Sequence, residues 1–361
     1  MSAAPEVGGR AEDEHVALEK VAEELWKAVS VADERAATDV VLDAVDGGAA
    51  PEDVLLDVIA SVQGRVGAEW AANRLTVAEE HAATAINERA VTAVGLHPSA
   101  RTRVSRGRIT VACVDGEWHA LPARLLAEVL KLRGWQVDYL GAQVPAPHLI
   151  AHLHSTHAEA VALSSSIATR LPTAHAAITA CQAIGVPVIV GGAAFGPAGV
   201  YAGLLGADAW APDARAAAGL LAAGPLPRPQ LDHQQMDDLP HLADQEYTLV
   251  TRSSGSVVRN VFTALENAYP AMRGYDEAQR ERTAEDIAHI VEFLATSLYL
   301  GDEDLFAWFI SWTAQILESR GVPARSLPPA LGLLERELKD FPRAIRTLRH
   351  GAHTLTAGNT V

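Results

Sequence analysis

Cysteine is nearly absent, with two in 361 residues, Cys113 and Cys181. One falls in an apolar run and the other in a helical stretch, so both read as small core hydrophobes. A secreted fold stapled by disulfides is excluded, and the chain reads as cytoplasmic. Cations are also scarce: 29 Lys and Arg stand against 45 Asp and Glu, for a formal net charge of −16. Without a Lys/Arg block of the kind that tracks phosphates, a nucleic-acid partner is not expected. No apolar run approaches the roughly 18 residues of a membrane span, and the opening MSAAPEVGGRAEDE lacks the basic start and apolar core of a secretory signal. A membrane partner is therefore not expected either, and the first dozen residues are expected to be disordered. What the chain does have is hydrophobic content, 49% of its residues, enough for two or three domains that each bury a core.

Residues 12–95 are alanine-rich with helical period and predict four helices, at about 12–30, 34–46, 51–72 and 77–95. Gly47-Gly48 with Pro51 separates the second from the third. Thr76-Val77-Ala78-Glu79 is a capping box that starts the fourth. Short connections imply an antiparallel four-helix bundle. A polar linker over 96–107 leads into a strand–helix alternation over 105–222, the pattern of a Rossmann-like parallel α/β domain. A Pro- and Asp-rich stretch over 224–246 reads as a second linker. From 247 to 350 the period is helical again, with breaks at Pro270, Gly301, Gly321-Val322-Pro323 and Pro342, and the tail from Gly351 is expected to be loose. The fold class is thus multidomain, α and α/β.

The stretch Val111–Pro122, VACVDGEWHALP, is the centre of the α/β region. A β-branched run, Ile109 to Val114, reads as a buried strand that breaks into the loop Asp115–His119, with a helix resuming near Pro122. Ligands of open parallel sheets sit beyond the carboxyl ends of the strands, which is where His119 falls. Glu117, two residues back, can orient its imidazole; from this stretch alone His119 reads more readily as a surface histidine than as a ligand. Two further strand ends follow, Leu163-Ser164-Ser165-Ser166-Ile167 and Val188–Ala194 with Gly191-Gly192.

These residues resemble the cobalamin-binding domain of methionine synthase and of corrinoid carrier proteins, whose fingerprint is Asp-x-His-x-x-Gly, about forty-one residues, Ser-x-Leu, then Gly-Gly. The histidine maps to His119, the serine to Ser164 and the glycines to Gly191 and Gly192. Leu140–Pro145, with Val144, and Ala211-Pro212-Asp213-Ala214 agree with it. The departures are Glu117 for Asp, Pro122 for Gly and Ser166 for Leu; the last puts only the nucleotide-tail pocket in doubt. The resemblance implies His119 as cobalt ligand from below. It also implies a channel for the displaced base beside Ser164 and Gly191-Gly192, and cofactor contacts at Gly116, Glu117, Trp118, Ala120, Leu121, Val144, Ser166, Ala193 and Pro212.

In the bundle, Trp70 lies near the end of the third helix, Val77 opens the fourth, and Glu80-His81 lie in its first turn. On their own these read as a core-capping tryptophan and a carboxylate favoured at a helix N-terminus. Trp70, nine residues, then Glu80-His81 resembles the Trp-x9-Glu-His signature of adenosylcobalamin light sensors. That resemblance implies Trp70 and Glu80 around an adenosyl group, with Val77 and His81 beside them. It further implies a photoreceptor, not an enzyme, with no catalytic residue. Its cobalt–carbon bond is photolysed, it forms a homo-oligomer whose quaternary structure changes with light, and it signals to an unidentified downstream partner. Output by DNA binding is not expected.

Residues 247–350 are rich in aromatics, and the run Asp304–Glu318, DLFAWFISWTAQILE, is apolar nearly all round. Such a helix is the centre of a small all-α core; with Arg252, Arg259, Arg273 and Arg320 nearby it also suits a planar tetrapyrrole with propionates. His289 reads as a core histidine or as a haem or pyrrole partner. The order of cap, cobalamin domain and helical domain resembles photocobilins, which implies a globin-like C-terminal domain holding biliverdin near Arg252, Arg259, His289, Trp308 and Trp312. Without a cysteine after Cys181 the bilin would be non-covalent. Two alternatives stay open: a corrinoid carrier for a methyltransferase, and a haem sensor fused to a cobalamin domain.

Overall fold

The computed structural model describes residues 7–227, 229 and 239–357. The chain forms two compact units. The first comprises Met1–Ser166, Ala180–Gly192 and Ala207–Leu231, and the second Ile167–Thr179, Ala193–Gly206 and Asp232–Val361.

The first unit opens with four helices. They are α1 (Val7–Ser30), α2 (Glu34–Asp46), α3 and α4 (Val77–Leu96); α3 runs through Pro51–Asp53, a π-helical stretch Val54–Ile59 and Ala60–Ala71. Their ends follow local chemistry. The Asp33 carboxylate accepts from the Ala36 N–H to cap α2, Pro51 takes the first turn of α3, and Gly48 turns the chain at φ +102°. The capping box at Thr76 is present in both directions, with the Glu79 carboxylate accepting from the Thr76 N–H at 2.8 Å and the Thr76 hydroxyl accepting from the Glu79 N–H at 3.2 Å. The helix α1 begins at Val7, earlier than the disorder expected of the first dozen residues; residues 1–6 lie outside the described residues.

Apolar positions at helical spacing fill the bundle core, among them Leu25, Val41, Leu55, Ile59, Val66 and Val91. Leu121 and Leu125 of α5 (Leu121–Leu132) belong to the same core. The helix that follows His119 is therefore the seat of the bundle. An ionic cluster fastens the same junction. Arg215, on α9 (Ala214–Ala223), reaches Asp57 at 2.8 Å and Asp53 at 3.0 Å, and Arg133 reaches Glu52 at 2.6 Å.

Five parallel strands follow, β1 (Arg108–Cys113), β2 (Gln136–Gly141), β3 (Ala160–Ser164), β4 (Val188–Gly191) and β5 (Ala209–Trp210), in the order β2-β1-β3-β4-β5. The connections are α5, α6 (Ala146–Thr156), α7 (Leu171–Ala183) and α8 (Val200–Leu204). Because β1 has β2 on one side and β3 on the other, the chain leaves it in opposite directions and a crevice opens at the carboxyl ends. Register places Cys113 opposite Ser164 and Ser164 opposite Gly191. Cys113 and Cys181 are both buried and free, as core hydrophobes.

The second unit is built on α10 (Glu246–Ala268), α11 (Glu277–Leu300), α12 (Glu303–Ser319), α13 (Leu327–Glu337) and α14 (Pro342–Ala357). Val250, Val257, Val261 and Leu265 recur along one face of α10 and pack with Ile290, Leu294, Phe306, Ile310, Leu334 and Leu348. The segments 167–179 and 193–206 join this unit through paired polar contacts. Tyr201 donates its hydroxyl to Asp302 at 2.6 Å, and buried His175 meets the Tyr299 hydroxyl through Nδ1 at 2.9 Å. The expected loose tail from Gly351 is corrected: α14 runs on to Ala357, with Gly351 buried against Phe306, where an added Cβ would come within 2.8 Å of the ring. The expected linker over 224–246 is corrected in part, since a 3-10 turn occupies Pro240–Asp244; residues 228 and 230–238 lie outside the described residues. Among the described residues no helix is long and apolar enough to cross a membrane.

Candidate cofactor-binding site

The loop after β1 is held by one carboxylate. Gly116 turns the chain at φ +78°, and Glu117 folds back beneath it, 1% exposed. Its Oε1 accepts from the His119 backbone N–H at 2.9 Å and meets the ring Nδ1 at 2.6 Å. Its Oε2 accepts from the Ser166 N–H at 2.7 Å and from the Ser165 hydroxyl at 3.2 Å. Four polar groups thus converge on one buried carboxylate. It orients His119, joins the loops after β1 and β3, and leaves Nε2 as the nitrogen available to a ligand. The Glu117 hydrogen bond pushes the imidazole pKa above its ordinary value; burial opposes this, and the charges of Glu117 and then Glu80 add to it.

The other strand ends complete a ring of backbone. Ser164 is buried at the end of β3, and its carbonyl accepts from the Val114 N–H at 3.1 Å. The Gly191 carbonyl accepts from the Ser165 N–H at 3.1 Å. Gly192 has φ +100°, and a Cβ there would stand 2.2 Å from the Ser165 carbonyl oxygen. Only glycine permits that approach. Val144 donates its N–H to the Cys113 carbonyl at 3.4 Å, and the Ala120 carbonyl accepts from the Tyr139 hydroxyl at 3.3 Å. Pro212 follows β5, exposed, just before the Asp213 cap of α9. Trp118 is 72% exposed. Leu121 is buried in the core shared with the bundle, and Ala193 continues the chain after Gly192.

At the bundle end, Trp70 is half-buried and Val77 exposed. Glu80 Oε2 meets His81 Nδ1 at 2.6 Å, with the histidine side chain 75% exposed. Glu80 Oε1 accepts from the Thr84 hydroxyl at 2.8 Å. Thr84, Gln63 and Asn87 behind it were not legible as site residues, nor was Ser165. Their signal was the polar spacing 80, 84, 87 along one helical face and the middle serine of Ser164-Ser165-Ser166.

In the second unit the expected tetrapyrrole residues divide. Phe293 of α11 stacks on Phe309 of α12 at 3.7 Å, and Phe309 and Trp308 both neighbour Trp312, at 6.4 and 6.3 Å. Trp308 is 60% exposed. His289 lies one turn before Phe293; it is exposed and faces Glu292 at 3.7 Å, whose hydrogen bond raises the imidazole pKa. The reading of His289 as a core histidine is therefore corrected. Arg252 and Arg259 lie exposed on α10, a different helix from this aromatic ledge. Arg320, at the end of α12, has its charge felt by Asp286 of α11, and Arg273 follows Met272 in the 3-10 turn after α10.

Residues 107–219 match the family model described as the B12 binding domain, and residues 21–94 match a second model of the same description. No curated protein matches the chain. Among solved structures, the monomethylamine corrinoid protein of Methanosarcina barkeri is 18% identical with a TM-score of 0.48, over 57% of this chain and 98% of that one. A cobalamin-binding protein from Desulfitobacterium hafniense is 22% identical with a TM-score of 0.32, over 57% and 97%. The methanol:cobalamin methyltransferase complex of Methanosarcina barkeri is 16% identical with a TM-score of 0.31, over 59% and 83%. The bundle and the sheet domain are thus both B12-binding domains. The protein is a cobalamin-binding protein.

The residues fit that cofactor. The imidazole of His119, oriented by Glu117, would offer Nε2 to the cobalt of a bound corrinoid. Gly191 and Gly192 at the end of β4 would offer backbone to the cofactor's nucleotide tail.

Proposed function

We propose that the chain is a light-responsive adenosylcobalamin protein, with His119 as the lower ligand and the Trp70–Glu80 end of the bundle over the upper face. The observation that carries this reading is the carboxylate of Glu80, in the first turn of α4 and oriented by the Thr84 hydroxyl, close in sequence to the half-buried Trp70. When bound, adenosylcobalamin supplies a cobalt–carbon bond that light can break. The chain's own part is to orient one imidazole through Glu117, to exclude water with the half-buried Trp70, and to present Glu80 as an acceptor for hydroxyl groups.

Illumination tests the reading. Green light on the loaded protein should change its absorption spectrum irreversibly and shift its size-exclusion profile. Loss of a bulky upper group leaves a void under the bundle, and voids are unstable unless a helix moves to fill them. Identical profiles in darkness and after light would count against a light-dependent homo-oligomer.

A second reading is a corrinoid carrier that presents methylcobalamin to a methyltransferase. The comparisons favour it, since the two B12-binding matches cover the bundle and the sheet domain and say nothing of light. Trp70 separates the readings. Trp70→Ala is expected to leave methylcobalamin affinity within about threefold while weakening adenosylcobalamin by on the order of tenfold, the loss of one large aromatic contact. Equal changes for both forms, measured by titration in the dark, would favour the carrier.

For residues 247–357 the proposal includes non-covalent biliverdin. Its support is the aromatic ledge of Phe293, Phe309, Trp308 and Trp312 on α11 and α12, with His289 one turn before Phe293, and the absence of cysteine after Cys181. Added biliverdin should give a red-shifted, sharpened band that acid releases as free pigment. An unchanged pigment spectrum with cobalamin present would leave a plain helical module, and a Soret band from added haem would point to a haem sensor instead.

A further inference from the structure

Behind Glu80 runs a line of three polar side chains inside an otherwise apolar bundle. Asn87 is fully buried, 0% exposed, on α4. Its Nδ2 donates to Gln63 Oε1 at 2.8 Å, Gln63 Nε2 donates to the Thr84 hydroxyl at 2.8 Å, and Thr84 donates to Glu80 Oε1 at 2.8 Å. The direction of this line is forced from its end. An ionised carboxylate only accepts, so Thr84 must donate to it. Thr84 can then accept only from the amide nitrogen of Gln63, whose oxygen must in turn face the Asn87 nitrogen. Every donor points toward Glu80.

Burying an amide as deeply as Asn87 is costly, the more so because its Oδ1 has no hydrogen-bond partner among the described residues, and Ala, Leu or Val at 63, 84 and 87 would pack the same bundle without that cost. Glu80 needs no such support as a helix N-terminal charge. We propose that Gln63, Thr84 and Asn87 are positioning residues that lock Glu80 in one rotamer as a fixed anionic acceptor toward the upper ligand of the cofactor. This rests on the reading of Glu80 as an upper-face contact. Chains of hydrogen bonds strengthen one another, so Oε1 of Glu80 stays held through Thr84 whether or not the ligand is bound, while Oε2 meets the exposed His81 Nδ1. The ligand class favoured by such a group carries vicinal hydroxyls, as a nucleoside does, and a methyl group gains nothing from it.

Titrations of the full chain with adenosylcobalamin and methylcobalamin in the dark test this. Thr84→Val keeps the volume and removes the donor. It should lower the preference for the adenosyl form on the order of tenfold, the worth of one hydrogen bond to a charged group, and Thr84→Ser should restore it. Gln63→Met, one bond further back, should move the preference the same way by less. A purely structural role predicts equal weakening of both ligands in Thr84→Val with no rescue by Thr84→Ser, and that result overturns the relay while Glu80→Ala still abolishes the preference. An unchanged preference in Glu80→Ala instead overturns the upper-face reading itself, and the relay's role with it.

Discussion

His119→Ala should retain a folded protein and lose the histidine-on spectrum of bound cobalamin, with affinity falling by on the order of 100-fold or more. The proposed ligand and the hydrogen bond that orients it disappear together, and loss of the groups that orient a metal ligand alone costs about 10–100-fold. Glu117→Gln should reproduce part of the loss by a different route. An amide NH2 would face one of the donor pairs that now meet the carboxylate, either His119 N–H with its ring Nδ1 or Ser165 Oγ with Ser166 N–H. A buried clash of donors leaves groups unsatisfied at about 1–3 kcal/mol. Absorption spectra of the loaded variants decide the matter: an unaltered spectrum in His119→Ala would remove this residue as the lower ligand.

The second large effect is expected at Gly192. An alanine there would combine a positive φ with a Cβ 2.2 Å from the Ser165 carbonyl oxygen. Backbone strain contributes about 1–3 kcal/mol and the forced shift about 1–3 kcal/mol more. The shift would fall on the loop whose Ser165 and Ser166 hold Glu117, so cobalamin affinity should drop along with thermal stability. Gly141→Ala is the control. Gly141 also has positive φ, +82°, but a Cβ there meets nothing within 4 Å, so that variant carries the strain without the collision. Equal melting midpoints for the two variants would show that the close approach at Gly192 has no energetic consequence.

Much of this was legible along the chain. The four bundle helices, the capping box at Thr76 and the loop position of His119 are all set by residues a few positions apart, through side-chain reach and helical period. Local rules misplace element ends where burial outweighs them. Gly351 opens the stretch expected to be loose, yet the helix continues, and its missing Cβ makes room for Phe306, a contact 45 residues away in sequence. His289 sits at a core-like spacing, yet it turns outward to Glu292.

The sequence alone determined that this protein has a helical bundle followed by a parallel α/β domain, and it placed an imidazole, a serine and a glycine pair at successive strand ends. Only the tertiary structure decided what Glu117 does. Which donors surround a carboxylate depends on which loops lie side by side, and the order β2-β1-β3-β4-β5 brings Ser165 and Ser166 to it across 48 and 49 residues. It also decided which way Glu80 faces. A polar residue on a helix can point to solvent or into the bundle, and Gln63, Thr84 and Asn87 reveal their direction only once α3 and α4 are packed together, because the hydrogen bonds that fix it cross from one helix to the other.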